Sequence, residues 1–276
     1  MDLKILENTP PWEWPEDAAQ YFLKILGDGQ AAESDRCLAA ELAGDYTVIN
    51  DEIAHALLLI ADNPHESEKL RGISVISLGS CLTHADMMGF EDPDDIMISE
   101  KTFIKIQETL HKLFMDTDIP TELRQRILEA SVQAPQDWHC ENVDRAFSSG
   151  EKGWRLTAVF CMRFIRGFDD QILEALSDKN ADIHYHAVCA AGNWEVDAAW
   201  RHIRELVDSD ATDKPLMLAA IDAVINMRPQ EAAEVLGDLI DDDDQEISDA
   251  VYEALAMAEA LDEIDDEEEE DDEFLK

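Results

Sequence analysis

The chain has 276 residues, 46% of them hydrophobic, which is enough to bury a sizeable core without disulfides or metals. Its 64 acidic side chains against 21 basic ones give a formal net charge of -43. That balance excludes nucleic-acid phosphates and anionic membrane surfaces as partners and turns attention to basic ones, although a salt-loving host would select the same composition for solvation alone. Cys37, Cys81, Cys140, Cys161 and Cys189 are widely spaced and form no C-x-x-C pair, which fits reduced thiols and a cytoplasmic setting. No stretch approaches the ~18 uninterrupted apolar residues of a membrane span.

Residues 1–14 contain Pro10, Pro11 and the pair Trp12 and Trp14 around Glu13, without the apolar run of a signal peptide. They are expected to cap the open end of a helical stack. Pro15-Glu16-Asp17-Ala18 places proline and acids in a first helical turn, where the macrodipole favours negative charge, and Gly27-Asp28-Gly29 closes that helix after about Leu26. Helical hairpins are then expected over Ser34 to Asp62, Ser67 to Asp116, Pro120 to Ser148 and Gly153 to Asp178. The second is interrupted by an insertion at about 83–99. Its acids Glu91, Asp92, Asp94 and Asp95 lack the ladder of a calcium loop and read as a solvated edge.

From Trp154 to Met257 a repeat becomes visible. The small pairs Ala187/Ala191, Ala219/Ala223 and Ala250/Ala254 recur at spacings of 32 and 31 residues. Alanines four apart share one helix face and let neighbouring helices approach closely. Each such helix follows another that ends near Leu176, Leu206 or Leu239 and an acidic turn holding Asp178, Asp208 or Asp241. One hairpin of this length cannot bury its own apolar stripe, so the units must stack. From residue 262 to 276 the chain is almost wholly acidic, and a like-charge block of this kind is expected to be a disordered tail or a fraying helix end.

Units of about 31 residues, with leucine before an aspartate turn and Val/Ile-x-x-x-Ala-x-x-Ala helices, resemble HEAT repeats. The resemblance implies an all-α chain: an α-α superhelix of about six stacked HEAT-like hairpins over residues 15–261. The arginine usual after the HEAT turn is replaced in the three compared units by His184, Leu216 and Ser248. HEAT enzymes of the deoxyhypusine hydroxylase kind hold a di-iron centre with several His-Glu pairs. Here only His65-Glu66 occurs, so that activity is not carried over. DNA-glycosylase relatives of this architecture use basic grooves, which the charge contradicts.

Arg145 to Arg166 is the one basic stretch, and Arg155, Arg163 and Arg166 share a broad face if a single helix runs through them at about 100° per residue. Such a face would pair with aspartates of adjacent turns, or dock an acidic partner or the acidic tail. Trp138 and Trp194 each follow a helix ending in alanines and are expected to share an edge as peptide anchors or to cap their own hairpins; Trp200 joins them among the partner-binding candidates. His184 and His186 point to different sides of a helix, and His186 with Cys189 supplies two ligands where a zinc site needs three or four. No phosphate-binding glycine loop or nucleophile elbow occurs, so no metal, cofactor or catalytic residue is expected. The expected function is a non-enzymatic scaffold whose acidic surface binds a basic or peptide-like protein. The alternatives are an immunity-type inhibitor of a cationic enzyme, and a small-molecule-binding protein like the HEAT-like lyases.

Overall fold

The computed structural model describes residues 2–92 and 95–274, with side chains as far as Leu261. Two compact units divide the chain, Met1–Asn142 and Val143–Lys276. Among the described residues there are helices and turns and no strand.

The first unit contains α1 (Leu3–Glu7), α2 (Ala18–Gly27), α3 (Glu33–Leu42), α4 (Asp51–Asp62), α5 (Glu68–Ile76), α6 (Gly79–Met88), α7 (Glu100–Met115) and α8 (Thr121–Ser131). α9 (Asp137–Ser148) carries the chain across the boundary. Helix starts follow local chemistry. Asn50 accepts the amides of Glu52 and Ile53, Ser67 that of Leu70, and Ser99 that of Thr102, each supplying an oxygen to a donor that the first turn leaves open. The helices pair as α2 with α3, α4 with α5 and α7 with α8, and the pairs stack so that α2, α4 and α7 form one row and α3, α5 and α8 the other. Between the rows lie Phe22, Ile53, Leu57, Leu70, Ile106, Leu110, Leu123 and Ile127, each with under 2% exposure, and burial stabilises each such side chain by about 1.5–3 kcal/mol.

An arginine occupies the fourth position of α3, α5 and α8, and all three do the same work. Arg36 donates to the carbonyl of Leu26, Arg71 to that of Ala61 and Arg124 to that of Phe114, in each case reaching ten residues back to the end of the preceding helix. A carbonyl that the helix end leaves open thereby gains a charged donor. Arg36 also holds Glu66 of the next turn through its two terminal nitrogens, Nη1 and Nη2, at 2.7 and 2.8 Å.

The second unit contains α10 (Lys152–Cys161), α11 (Asp169–Ala175), α12 (Ala181–Asn193), α13 (Trp200–Val207), α14 (Lys214–Met227), α15 (Ala232–Leu236) and α16 (Gln245–Phe274). α10, α12, α14 and α16 pack side by side as one row, with α11, α13 and α15 each against its following partner. The alanine pairs lie where the row closes: Ala187, Ala191, Ala219 and Ala223 are buried, and Gly192 sits directly on Ala223. The fourth position of this row holds Arg155, His184, Met217 and Ser248, and only Ser248 repeats the reach backward, donating to the carbonyl of Ile240 at 2.7 Å.

The insertion differs from the expected loop. It starts earlier, at Gly79, and its first half is α6, which packs against α7 and α8. After Gly89, whose φ of 68° suits glycine, the chain returns with Phe90 against Phe103 at 5.5 Å and Ile98 buried. Pro93 and Asp94 lie outside the described residues. At the other end α16 runs through the acidic stretch to Phe274. The side chains beyond Leu261, and with them the expected docking of the tail on arginines, lie outside the described part.

Candidate interaction surface

α10 ends at Cys161, so the single helix that would align Arg155, Arg163 and Arg166 on one face does not exist. Met162 caps it, and the two later arginines stand in the following turns. Arg155 is committed inside the stack. It meets Glu174 and Asp178 at 3.0 Å each and lies 4.2 Å over the ring of Phe147. The amide of Asn180, and after it Arg155, hold the Asp178 carboxyl below its usual range. Arg163 is half-buried over Phe160 and Phe164, with Nη1 3.4 Å from Nδ1 of His186 and a shielded Nε that has no partner.

Arg166 is exposed and lies 4.9 Å over Trp194. The indole of Trp194 donates to the carbonyl of Met162 at 2.6 Å, while Asn193 donates to that of Arg163 at 3.0 Å. Two open carbonyls at the end of α10 are thus closed by the end of α12. Trp194 ties successive hairpins together, with only its outer face left under Arg166. Trp200 is corrected as a docking residue: it is buried, 8% exposed, because it opens the amphipathic helix α13 on its inward side. Arg228 covers it at 4.8 Å while pairing with Asp197 and Glu231 at 2.8 Å.

Trp138 falls in the first unit and Trp194 in the second, and each is engaged locally. Trp138 stacks on His111 at 4.8 Å and on His139 at 3.8 Å, leans on Phe114, and donates to Oε1 of Gln136 at 2.8 Å. Beneath it His139 is fully buried. Its Nδ1 lies 2.9 Å from the amide nitrogen and 3.1 Å from the carbonyl oxygen of Gln136, and its Nε2 lies 3.0 Å from Oγ of Ser131. Burial pushes this imidazole down to about 4 and keeps it neutral.

Two grooves in the second unit had no sequence signal. The first, of about 460 Å³ between the starts of α12 and α14, is lined by His184, Tyr185, His186 and Asp213. His184 of this lining meets His202 of α13, Nε2 to Nε2, at 2.8 Å, one ring donating to the other. Burial lowers both, and for His184 the neighbouring ring adds to the effect. The second groove, of about 500 Å³ between α14 and α16, is lined by four carboxylates, Asp222, Glu246, Asp249 and Glu253, and by no lysine or arginine. Reduced hydration between the helices, then Glu253, raises the Asp222 carboxyl above its usual range. Lys214, outside this lining, bonds both Asp244 and Glu246. Helix periodicity shows which residues face outward, but the residues that meet across a groove are set by how the helices stack.

Among the described residues, no group of three or more His, Cys, Asp or Glu side chains is placed to hold a metal ion, and no helix is long and apolar enough to cross a membrane. The five cysteines are free thiols, three of them buried.

No family model and no curated protein matches the chain. Among solved structures it is similar to YibA of E. coli, at 16% identity, covering 89% of this chain and 84% of that one, with a TM-score of 0.45. It is also similar to human deoxyhypusine hydroxylase in complex with glycerol, at 13% identity, 91% and 87% coverage and a TM-score of 0.42. A mutant of Kap121p is similar at 11% identity over 89% of this chain and 33% of that one, with a TM-score of 0.41. At such identities the likeness is one of helix packing alone.

Proposed function

We propose that this chain is a non-enzymatic, HEAT-type interaction scaffold of the cytoplasm, presenting carboxylate-lined helix faces to a partner protein of basic character. The observation that carries this reading is the groove between α14 and α16, where Asp222, Asp249 and Glu253 converge beside Glu246, which Lys214 pairs from outside, and no lysine or arginine lines the groove. Many cations of the chain are already spent inside it: Arg36 on Glu66, Arg155 on Asp178, Lys214 on Asp244 and Arg228 on Asp197. Much of the negative charge is therefore left to an outside partner. Such a field speeds encounter with cationic surfaces and weakens as salt screens it.

The test is binding of the full chain to basic proteins and peptides across ionic strength. Affinity is expected to fall steadily as salt rises. The triple variant Asp222→Asn, Asp249→Asn, Glu253→Gln should bind more weakly and with a shallower salt slope. Binding that ignores salt, or a triple variant with unchanged affinity and slope, would count against this face as the site.

A further inference from the structure

Two stretches stand outside the hairpin pattern of the first unit, the proline-rich N-terminal segment and the insertion before α7. They meet at one groove of about 620 Å³, whose walls include Trp12, Trp14 and Glu16 on one side and Ile96 and Met97 on another, with Ile49 between. The two tryptophans have separate fates. Trp14 is pinned: its indole donates to the carbonyls of Leu6 and Thr9 at 3.0 and 2.9 Å, and its ring meets Phe22 edge-on at 5.5 Å. Trp12 is 79% exposed.

Looseness does not explain that exposure. Pro10 and Pro11 restrict the backbone on one side, Pro11–Glu13 form a tight 3-10 turn, and Trp14 anchors the other side. Trp12 is therefore held out on a rigid support, which lowers the ordering cost of any contact it makes. Ile96, across the groove, is also exposed. The lining is mixed, with Thr47 and Asn50 beside the apolar side chains, and its charge has one sign. Glu16 is the charged residue of the lining, Glu13, Asp17 and Asp95 adjoin lining residues and are exposed, and no lysine or arginine lines the groove.

We propose that this groove docks a short basic segment of a partner protein, one apolar side chain of which packs between Trp12 and Ile96 while flanking lysines or arginines meet Glu13 and Glu16. Exposed Trp12 and Ile96 beside Glu13 and Glu16 fit such a segment, and the carboxylates repel an acidic one. An arginine of the segment can also lie on the open face of Trp12. The inference rests on the reading of the chain as a scaffold for basic partners and places a second contact point for them.

The experiment selects displayed short peptides on the full chain, with counter-selection against Trp12→Ala and, separately, Ile96→Asp. Because Trp12 is exposed, Trp12→Ala should melt as the parent does, and circular dichroism checks both variants. Enriched peptides are expected to carry an apolar residue flanked by lysine or arginine. They should lose about tenfold or more in affinity on Trp12→Ala, as expected when an interface anchor is truncated, and bind the Asp222/Asp249/Glu253 triple variant unchanged. Peptides lacking that composition, or basic peptides that bind Trp12→Ala and Ile96→Asp as well as the parent, would overturn the groove proposal while leaving the scaffold reading in place. Complete absence of salt-sensitive binding to the parent would remove both.

Discussion

His139 shows how much a single residue can hide in a sequence. It stands between Trp138 and Cys140 without a motif, yet it is buried, neutral, and bonded on both ring nitrogens. Its pKa is about 4 in the fold against an ordinary value of 6.5, so as pH falls below 6.5 the unfolded chain takes up a proton that the folded chain refuses. Stability contributed by this residue is complete above about pH 6.5 and is lost progressively toward pH 4, by on the order of 3 kcal/mol. His139→Asn should be less stable at pH 7, and its deficit should shrink at pH 4.5 in urea melts. A deficit independent of pH would show that His139 contributes packing only. The arginines at the fourth helix position were equally hard to see. Arg36, Arg71 and Arg124 are unevenly spaced because α6 is inserted between the last two, and their target is a backbone carbonyl with no sequence signature.

At the scale of the element, the alanine stripe was legible because small residues four apart have a direct meaning for helix packing. Its tightest point is Gly192, where an added Cβ would fall 2.8 Å from Cα of Ala223 and 2.9 Å from its Cβ. Alanine is the better helix former by about 1 kcal/mol, but forcing α12 from α14 costs about 1–3 kcal/mol, so Gly192→Ala is expected to lower the melting temperature. Gly237→Ala, where an added Cβ meets nothing within 4 Å, is the control and should be neutral or stabilising. If Gly192→Ala melts at or above the parent, the close approach of α12 and α14 is not a source of stability. The shared face of Arg155, Arg163 and Arg166 failed for an elementary reason. Angular spacing holds only inside one helix, and α10 stops at Cys161 with Trp194 and Asn193 occupying the carbonyls at its end.

At the scale of the whole molecule, a charge of -43 sets a repulsion that every helix pair must overcome. Added sodium chloride is expected to raise the melting temperature, by about 2–4 °C for each kcal/mol of repulsion relieved. A flat or falling response in calorimetry would mean that internal pairs such as Arg36 with Glu66 and Arg228 with Asp197 already absorb the field. Neither proposed contact region is lined by a lysine or arginine: one has four lining carboxylates and the other has Glu16.

The sequence by itself determined the helical class and the repeat that is clearest after Trp154, but it set the hairpins of the first half one helix out of register. Ser34 to Asp62 and Ser67 to Asp116 joined α3 to α4 and α5 to α7, whereas α2 pairs with α3, α4 with α5 and α7 with α8. Class and repeat follow from apolar period, turn chemistry and small-residue spacing, all of which are local along the chain. Tertiary structure alone decided which residues are available to a partner. Trp200 turns inward, Trp138 packs on His111 and Phe114 of α7, Trp194 is tied to the end of α10, and Trp12 is left outside in the groove that Ile96 also lines. The physical reason is that exposure and meeting across a groove depend on how helices distant in sequence stack, and no period within one helix encodes that.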